Sequence, residues 1–500
     1  MSEIPPRRVV LLMTDTQRKD MVGCYGNPEM QTPNLDGLAE QGVRFERVYC
    51  CQPVCGPARA GLFTGTFPHS NGSWANVMPL GATVKTLGQR LTDHGIHAAY
   101  MGKWHLDGGD YFGMGKAPSG WDPRYWYDMR NYLEEMNEKD RARSRQVWAS
   151  YDPDLLEDFT FGHRLSTRAC QFLEENGAGE FFLVVSYDEP HGPHLCPSSY
   201  VDKFGNYAFP KNPNVWDVLD GKPDHQRVWA GKSTQVDRDK VVIQTPPFFG
   251  CNSFVDSEIG RVLGAIDKYA PDALVMYTAD HGDALESHCL NGKGPAMYEE
   301  IVNVPFLIRW PGQAPVDTIS MALMSHVDIT PTLLDIFGIP PSHVIEGHSW
   351  TNVFKNPQEL ANEYVFLEFG RYEVDHDGFG GFQPIRCVVG EGFKLIINLL
   401  TSDELYDLEN DPNEMTNLID SPSHTTIRDH LHDSLLEWMN DTRDPFRGYY
   451  WRRRAWRLDA PPATWNDMGM TRQREADEEY EPRQLNFNTG LPIDDATRKK

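Results

Sequence analysis

Val9-Val10-Leu11-Leu12-Met13-Thr14-Asp15-Thr16-Gln17 is an unbroken apolar run that stops abruptly in polar, chemically able residues. A run of this length without alternation reads as a strand buried on both faces, which is the signature of a parallel sheet covered by helices. The same pattern returns at His97–Met101, Phe181–Ser186 and Leu274–Thr278. Each run again ends in polar residues: Gly102-Lys103-Trp104-His105, Tyr187-Asp188-Glu189-Pro190-His191-Gly192-Pro193-His194, and Ala279-Asp280-His281-Gly282-Asp283. In open α/β sheets, sites form beyond the carboxyl ends of the strands. Four such endings in one chain predict a composite active site at one sheet edge.

Helical stretches separate the runs. Thr32–Gly42 carries a Thr cap, Pro at the first helical position and Gly after the end, and Val84–His94 is closed by Gly95. Val304–Trp310 and Val365–Phe369 are further strand candidates. The fold class is therefore α/β, with a large, mostly parallel sheet flanked by helices over residues 1–360. From residue 361 the texture changes to short strands split by turns: Arg386–Val389, Phe393–Asn398 and Glu404–Asp407, then a helix over 425–440. This predicts a smaller α+β domain with an antiparallel sheet over 361–445. Residues 446–500 open with Tyr449-Tyr450-Trp451-Arg452-Arg453-Arg454, whose aromatic content predicts a tail wrapped over the body.

The bulk numbers narrow the function. The chain has 500 residues, 40% of them hydrophobic, and a formal charge of −25 with no long basic tract. Nucleic acid and anionic membranes are excluded as natural partners, and no apolar run is long enough to span a bilayer. An acidic protein that takes an anionic substrate must gather its cations locally. No secretory leader is read at the N-terminus, so the expected location is the cytoplasm. The nine Cys, an odd number dispersed along the chain, fit free thiols there. Cys50-Cys51 with Cys55 lacks the second pair that a zinc–thiolate site requires. No G-x-G-x-x-G or Walker sequence supports a nucleotide site.

Cys50-Cys51-Gln52-Pro53-Val54-Cys55-Gly56-Pro57-Ala58-Arg59-Ala60-Gly61-Leu62-Phe63-Thr64-Gly65 reads as a loop entering a short helix, with Pro57 at its first position and Gly65 at its stop. Cys55 then lies just ahead of a helix N-terminus, where backbone N–H groups favour an anion, and Arg59 follows one turn on. Asp15 and Asp280 are ligand types that suit Ca²⁺, Mg²⁺ or Mn²⁺, and adding His281 permits Mn²⁺ or Zn²⁺ as well. Lys103 and His105, two apart, face the same side of an extended chain. His191 sits in a loop stiffened by Pro190 and Pro193, and Lys293 in the Gly-flanked turn Asn291-Gly292-Lys293-Gly294. Together with a metal these groups make the cationic pocket that sulfuryl or phosphoryl transfer needs.

Cys55-Gly56-Pro57-Ala58-Arg59 with Leu62-Phe63-Thr64-Gly65 resembles the C-x-P-x-R signature of type I, formylglycine-dependent sulfatases of the alkaline-phosphatase superfamily. Thr32–Asp36, Gly102–His105, Pro190–Pro193, Asp280–Gly282, Gly292–Gly294 with Met297-Tyr298-Glu299, and Leu405–Leu408 follow in the family's order. The match is closest to bacterial sulfatases of unassigned substrate. The resemblance implies an alkaline-phosphatase-like sheet and a sulfuric ester hydrolase. It implies that a maturation enzyme oxidises Cys55 to formylglycine, whose hydrate attacks sulfur while Arg59, Lys103 and a divalent metal, usually Ca²⁺, hold it. His191 or Lys293 would serve the leaving alcohol. His105 would take a proton from the second hydroxyl so that sulfate is expelled by elimination.

The implied metal ligands are Asp15, Thr16, residue 55, Asp280 and His281. Thr16 stands where the family often has Asp, and Gln17 is the alternative for that slot. Ala58 replaces the commoner Ser without touching the Cys, Pro and Arg that maturation reads. Trp74, Asn76, Asp107, Glu189, His194, Arg371 and His376 are the polar and aromatic candidates for substrate contact. They suit a sugar sulfate or another small organic sulfate. The alternatives are a phosphonate monoester or phosphodiester hydrolase of the same superfamily, and a non-catalytic glycan-binding relative with an unmodified Cys55.

Overall fold

The computed structural model describes residues 7–76, 78–107, 111–373, 381–459 and 485–492. The described residues up to 435 pack as one compact unit and those from 436 onward as another. The first unit holds two sheets. The larger contains β1 (Arg8–Asp15), β2 (Val43–Tyr49), β3 (His97–Gly102), β4 (Phe181–Pro190), β5 (Leu274–Ala279), β6 (Phe306–Arg309) and β7 (Thr318–Ser325), in the order β3-β4-β1-β5-β6-β2-β7. The strands β3, β4, β1 and β5 are mutually parallel neighbours, β2 pairs parallel with β7, and β6 runs antiparallel to both β5 and β2. The smaller sheet is wholly antiparallel, in the order β11-β10-β9-β8, from β8 (Tyr364–Phe369), β9 (Ile385–Gly390), β10 (Phe393–Asn398) and β11 (Glu404–Asp407). Both sheets match the predicted classes.

The apolar runs lack alternation because both faces of the large sheet are covered. Val9, Leu11 and Met13 enter one hydrophobic layer, and Val10 and Leu12 enter the other. Along β5, Leu274 and Met276 oppose Val275 and Tyr277 in the same way. On the second face lie α1 (Pro33–Glu40), α4 (Phe161–Asn176) and α5 (Pro246–Tyr269). The first face receives α2 (Cys55–Thr64), α3 (Leu87–Thr92), α6 (Ile329–Ile336) and side chains of the small sheet.

Two strands escaped the sequence reading. In β2, Arg44, Glu46 and Arg47 interrupt the apolar pattern, because Arg44 and Glu46 pair with each other at 2.8 Å on a half-buried side. Strand β7 begins with Ile319 and Met321 exposed on one side and Ser320 buried on the other, and is buried on both sides only from Ala322 onward. Helix boundaries also shift. Thr32 does not cap α1; its hydroxyl accepts from Gly23 N at 2.7 Å and donates to Asp36. The helix expected over 84–94 is trimmed to α3, which starts at the reciprocal Thr86–Gln89 cap.

α2 begins two residues earlier than its sequence suggests. Cys55 is its first residue and Pro57 its third. Pro57 is tolerated there because the first intrahelical bond is made by Ala58 N to Val54 O, at 2.9 Å. Gly65 ends the helix in the left-handed conformation, φ 70°, as expected. The helix predicted over 425–440 forms as Thr425–Asp441. In the second unit, a short helix spans Tyr449–Arg452. Of the tail expected to wrap the body, residues 460–484 and 493–500 lie outside the described residues.

Candidate active site

Because β3, β4, β1 and β5 are adjacent and parallel, their carboxyl ends deliver Lys103, Asp188, Asp15 and Asp280 to one edge. The N-terminus of α2 meets them there. Cys55 Sγ lies 3.1 Å from Lys293 Nζ, 3.1 Å from His281 Nε2, 3.7 Å from Asp15 Oδ1 and 4.0 Å from Lys103 Nζ. Asn76 Oδ1 accepts from Gly56 N at 2.9 Å and so fixes the first turn of the helix beside Cys55. The backbone leaves its common conformations as it enters the site: Thr16 has φ 61° and His105 φ 59°. Such conformations persist where the surroundings over-determine them, as they do at functional sites.

A bulge aims Asp188. Strand β4 pairs Ser186 with Met13 and Pro190 with Asp15, so three residues of β4 stand opposite Thr14 alone. Asp188 turns inward to Lys103 Nζ at 3.1 Å and accepts from the Tyr111 hydroxyl. Glu189 turns the other way.

The charges are dense and buried. Lys103 Nζ is 2.8 Å from Asp15 Oδ2. Burial works against its charge, but Asp15 and Cys55 hold its pKa well above the usual lysine value. Lys293 is likewise held up against burial, by Cys55, Tyr372 and Asp15. Burial and Asp15 push the Cys55 thiol up, yet Lys103, Lys293 and His281 outweigh them and bring it down to about 5. Burial, followed by Lys103 and Arg59, drives His105 down to about 3. Burial, followed by Lys103 and Lys293, drives His191 down to about 4. Both imidazoles are therefore neutral at pH 7 and can accept a proton. The edge combines an anionic position 55, two ammonium groups, a guanidinium and two neutral imidazoles, which suits transfer of an anionic group.

Asp15, Cys55, Asp280 and His281 bring four ligand atoms within 4.8 Å of one another. The carboxylates divide their labour. Their Oδ2 atoms face Arg59, at 3.2 Å from Asp15 and 2.9 Å from Asp280. Their Oδ1 atoms turn toward His281 Nε2, at 3.9 and 3.6 Å. His281 Nδ1 is 2.8 Å from Gly282 O, a pure acceptor, so Nδ1 carries a proton and Nε2 faces the cluster, where a bound cation would take the place of a second proton. This donor set fits a divalent cation. Thr16 Oγ1 borders it, donating to Asp15 Oδ1 at 2.7 Å and accepting from Lys293 at 3.3 Å.

Several expected positions have other partners. Gln17 is not available to the metal cluster: its amide donates to Asn252 Oδ1 at 2.6 Å and accepts from Thr14 and Tyr277. Glu189 faces away from Cys55, because neighbouring residues of a strand alternate; it accepts from Gly162 N at 2.8 Å in the first turn of α4, and burial raises it to about 8. Asp107 accepts from the Trp104 indole at 3.1 Å. His194 donates to Pro190 O at 2.6 Å, with its ring against Phe248. Trp74 is half-buried and its carbonyl accepts from Gln52 at 3.0 Å. Arg371 adjoins Tyr372, whose carbonyl accepts from Asn76 N at 3.0 Å. His376 lies outside the described residues.

Sequence reasoning passed over Tyr111, Asp188 and Tyr372. Tyr111 lies in a Gly-rich stretch with no periodicity. For Asp188, the alternation that separates it from Glu189 was the available signal.

The comparisons agree with this geometry. A family model described as Sulfatase matches residues 7–339. Another, described as N-sulphoglucosamine sulphohydrolase, C-terminal, matches residues 292–441. The chain is 43% identical over 492 residues to the uncharacterized sulfatase YidJ of Escherichia coli, covering 97% of this chain and 96% of that one. It is 24% identical over 511 residues to an N-acetylglucosamine-6-O-sulfatase of Bacteroides thetaiotaomicron, covering 87% of each. Among solved structures, one in complex with its substrate D-glucosamine-2-N,6-O-disulfate superposes with a TM-score of 0.72 at 23% identity, over 88% of this chain and 99% of the other. The phosphonate monoester hydrolase of Agrobacterium radiobacter gives 0.73 at 22% identity, over 87% and 96%. These two likenesses establish the alkaline-phosphatase-like fold. With the family model spanning most of the chain and YidJ matching nearly all of it, this chain belongs to the sulfatase family and is a sulfuric ester hydrolase.

Proposed function

We propose that this chain hydrolyses the sulfate ester of a sugar or another small organic sulfate, using residue 55 as nucleophile after its thiol has been converted to formylglycine. The observation that carries this reading is the position of Cys55: at the buried N-terminus of α2, 3.1 Å from Lys293 and ringed by Lys103, His281 and Asp15. Sγ stands in for an oxygen of the aldehyde hydrate. A formylglycine-generating enzyme is the implied partner.

The chain's own groups divide the work. Lys103 and Lys293 stabilise negative charge on the sulfuryl oxygens as it develops. Arg59 holds the two aspartates in place. His191 Nδ1 is engaged with Gly192 O at 2.9 Å and the Tyr111 hydroxyl at 3.1 Å, so Nε2 must first bind a proton, which the entry of the anionic substrate favours, before it protonates the leaving oxygen. His105, held neutral, takes the proton that lets sulfate depart. Asp15, Asp280 and His281, with Thr16 alongside, would hold Ca²⁺, and Mg²⁺ or Mn²⁺ also suits those donors. Such a cation supplies positive charge that polarises the sulfate and acidifies a bound hydroxyl. The sugar reading is supported by the relatives whose names specify glucosamine sulfates. Trp74 and the Arg371-Tyr372 pair, tied to the site through Asn76, offer an aromatic and cationic rim for such a ring.

The test has two parts. Peptide mass spectrometry over residues 45–66, after co-expression with a maturation enzyme, is expected to show the aldehyde at residue 55. The matured protein is expected to cleave an aryl sulfate faster than an aryl phosphonate. A thiol at residue 55 in fully active protein would refute the nucleophile. A faster phosphonate reaction would move the chain to the phosphonate monoester hydrolases.

A further inference from the structure

Between His281 and Ile301 the chain encloses a second group of ligand-type side chains, apart from the cluster around Cys55. One ligand atom from each of His288, Glu300 and Glu414 lies within 4.8 Å of the other two. The His288 ring is wholly buried, 0% exposed, and its Nδ1 is 2.7 Å from Asp217 Oδ2. Lys222 Nζ also lies 3.2 Å from that Nδ1, but it pairs with the same Asp217 carboxylate, which at the shorter distance accepts the Nδ1 proton, so Nε2 keeps its lone pair. Neither His288 Nε2 nor Glu300 Oε2 has a hydrogen-bond partner among the described residues, and both atoms are shielded from solvent. Glu300 Oε1 already accepts from Asn214. Buried acceptors without donors are costly and rare.

The nearby cations are committed elsewhere. Lys222 pairs with Asp217 at 2.7 Å and donates to the Glu414 carbonyl. Lys394 pairs with Glu299 and Glu414 at 2.8 Å each and donates to Met297 O at 2.6 Å. Four carboxylates thus face two ammonium groups, and neither ammonium reaches Glu300 Oε2. The imbalance is felt at Glu414: burial pushes its carboxyl up to about 7, with Glu299 and Glu300 adding to the rise against Lys394.

We propose that His288, Glu300 and Glu414 bind a first-row divalent cation, Zn²⁺ or Mn²⁺, at a structural site separate from the catalytic cluster. One imidazole and two carboxylates, without the added oxygen donors that Thr16 and residue 55 would give the catalytic cluster, fall short of the six to eight oxygens Ca²⁺ takes and suit these smaller ions better. Asp217 behind His288 reproduces the carboxylate–imidazole pairing that orients a metal-binding histidine. The cation's task follows from the chain path. Lys293 lies between His288 and Glu300 in sequence. Glu300 O accepts from Asp283 N at 3.1 Å, two residues past His281, and Asp283 Oδ1 accepts from Gly292 N at 3.1 Å. Leu285, Glu286, His288 and Cys289 all have positive φ, so the stretch is held against its own preference. A cation here clamps the segment that presents Lys293 to Cys55.

The test uses the full chain, stripped with a chelator, returned to Ca²⁺, and then given Zn²⁺ or Mn²⁺ in separate samples. Bound metal is counted by mass spectrometry of the elements after gel filtration. The parent is expected to retain one more Zn²⁺ or Mn²⁺ per chain than Glu300→Gln, whose amide keeps an oxygen for Asn214. Crystals of the parent soaked in either ion are expected to show an anomalous peak bounded by His288, Glu300 and Glu414. Should the variant fail to fold, the diffraction measurement decides alone. Equal metal content in parent and variant, or anomalous density only beside Asp15 and Asp280, would overturn the proposal.

Discussion

Arg59 Nε donates to Asp280 Oδ2 at 2.9 Å, and both side chains are wholly buried. The same guanidinium reaches Asp15 Oδ2 at 3.2 Å, Ser186 Oγ at 2.7 Å and the Lys103 carbonyl at 2.7 Å. One side chain of α2 is therefore fastened to the ends of β5, β1, β4 and β3. Removing Arg59 leaves two buried carboxylates short of a cation, a loss on the order of 3–5 kcal/mol. Arg59→Ala is expected to lower the urea midpoint accordingly. Arg59→Lys restores charge without the planar fork and is expected to recover less than half of the loss. An Arg59→Ala protein within about 1 kcal/mol of the parent would show that the fork is not what joins the strands.

The neutral imidazoles make stability depend on pH. His105 and His191 fall from 6.5 to about 3 and about 4 in the folded chain. Below pH 6.5 the unfolded chain takes up protons at these positions and the folded chain does not. The unfolded state then binds more protons, so stability falls as pH drops from 6.5 through about 4 toward about 3. His105→Gln removes one of the two contributions. Urea midpoints measured between about pH 7 and about pH 4.5 should fall less steeply in His105→Gln than in the parent. Superimposable profiles would mean that His105 titrates in the native site as it does in the unfolded chain.

The strand-end pattern alone locates this edge, because a strand buried on both faces has no reason to carry charge except where it emerges. That argument identified Asp15, Lys103, Asp280 and His281, each at the end of a long apolar run. It failed where local pattern and three-dimensional role part company. Gln17 carries an able amide, but its direction is set by a buried partnership with Asn252 that lies 235 residues away in the chain. Glu189 and Asp188 are adjacent acids, and only the bulge opposite Thr14 decides which one enters the site. Strand β2 was hidden because its outward residues are charged and paired with each other.

Tyr111 is expected to act as a positioning residue for His191. Its hydroxyl donates to Asp188 and lies 3.1 Å from His191 Nδ1, and its ring sits 4.2 Å from the Lys103 ammonium. Tyr111→Phe keeps the ring and removes the hydroxyl. The expected result is a fall in kcat of about tenfold to a hundredfold, below the full range of general acid–base catalysis. KM and the urea midpoint should change little. Steady-state sulfate release together with far-UV circular dichroism measures this. A loss confined to KM would assign Tyr111 to substrate binding instead.

Gly102 offers a test of how tightly the site depends on its sheet. It ends β3 with φ 116°, and a Cβ built there would lie 1.8 Å from the Ser186 carbonyl oxygen. Ser186 is backbone-paired to this very point, since its carbonyl accepts from Lys103 N at 2.8 Å. Neither backbone can yield without separating β3 from β4 and withdrawing Lys103 from Asp15. Gly102→Ala should therefore cost about 2–4 kcal/mol, combining the backbone strain with the clash. It should also lower turnover, because Lys103 moves with it. Gly37 is the matched control: it sits inside α1 with nothing near a built Cβ. Gly37→Ala should stabilise the chain by about 0.5–1 kcal/mol, because alanine loses less backbone freedom on folding. Opposite shifts of the two urea midpoints are the expected outcome, and a Gly102→Ala midpoint equal to that of Gly37→Ala would mean that β3 and β4 can part at Ser186 without disturbing the site.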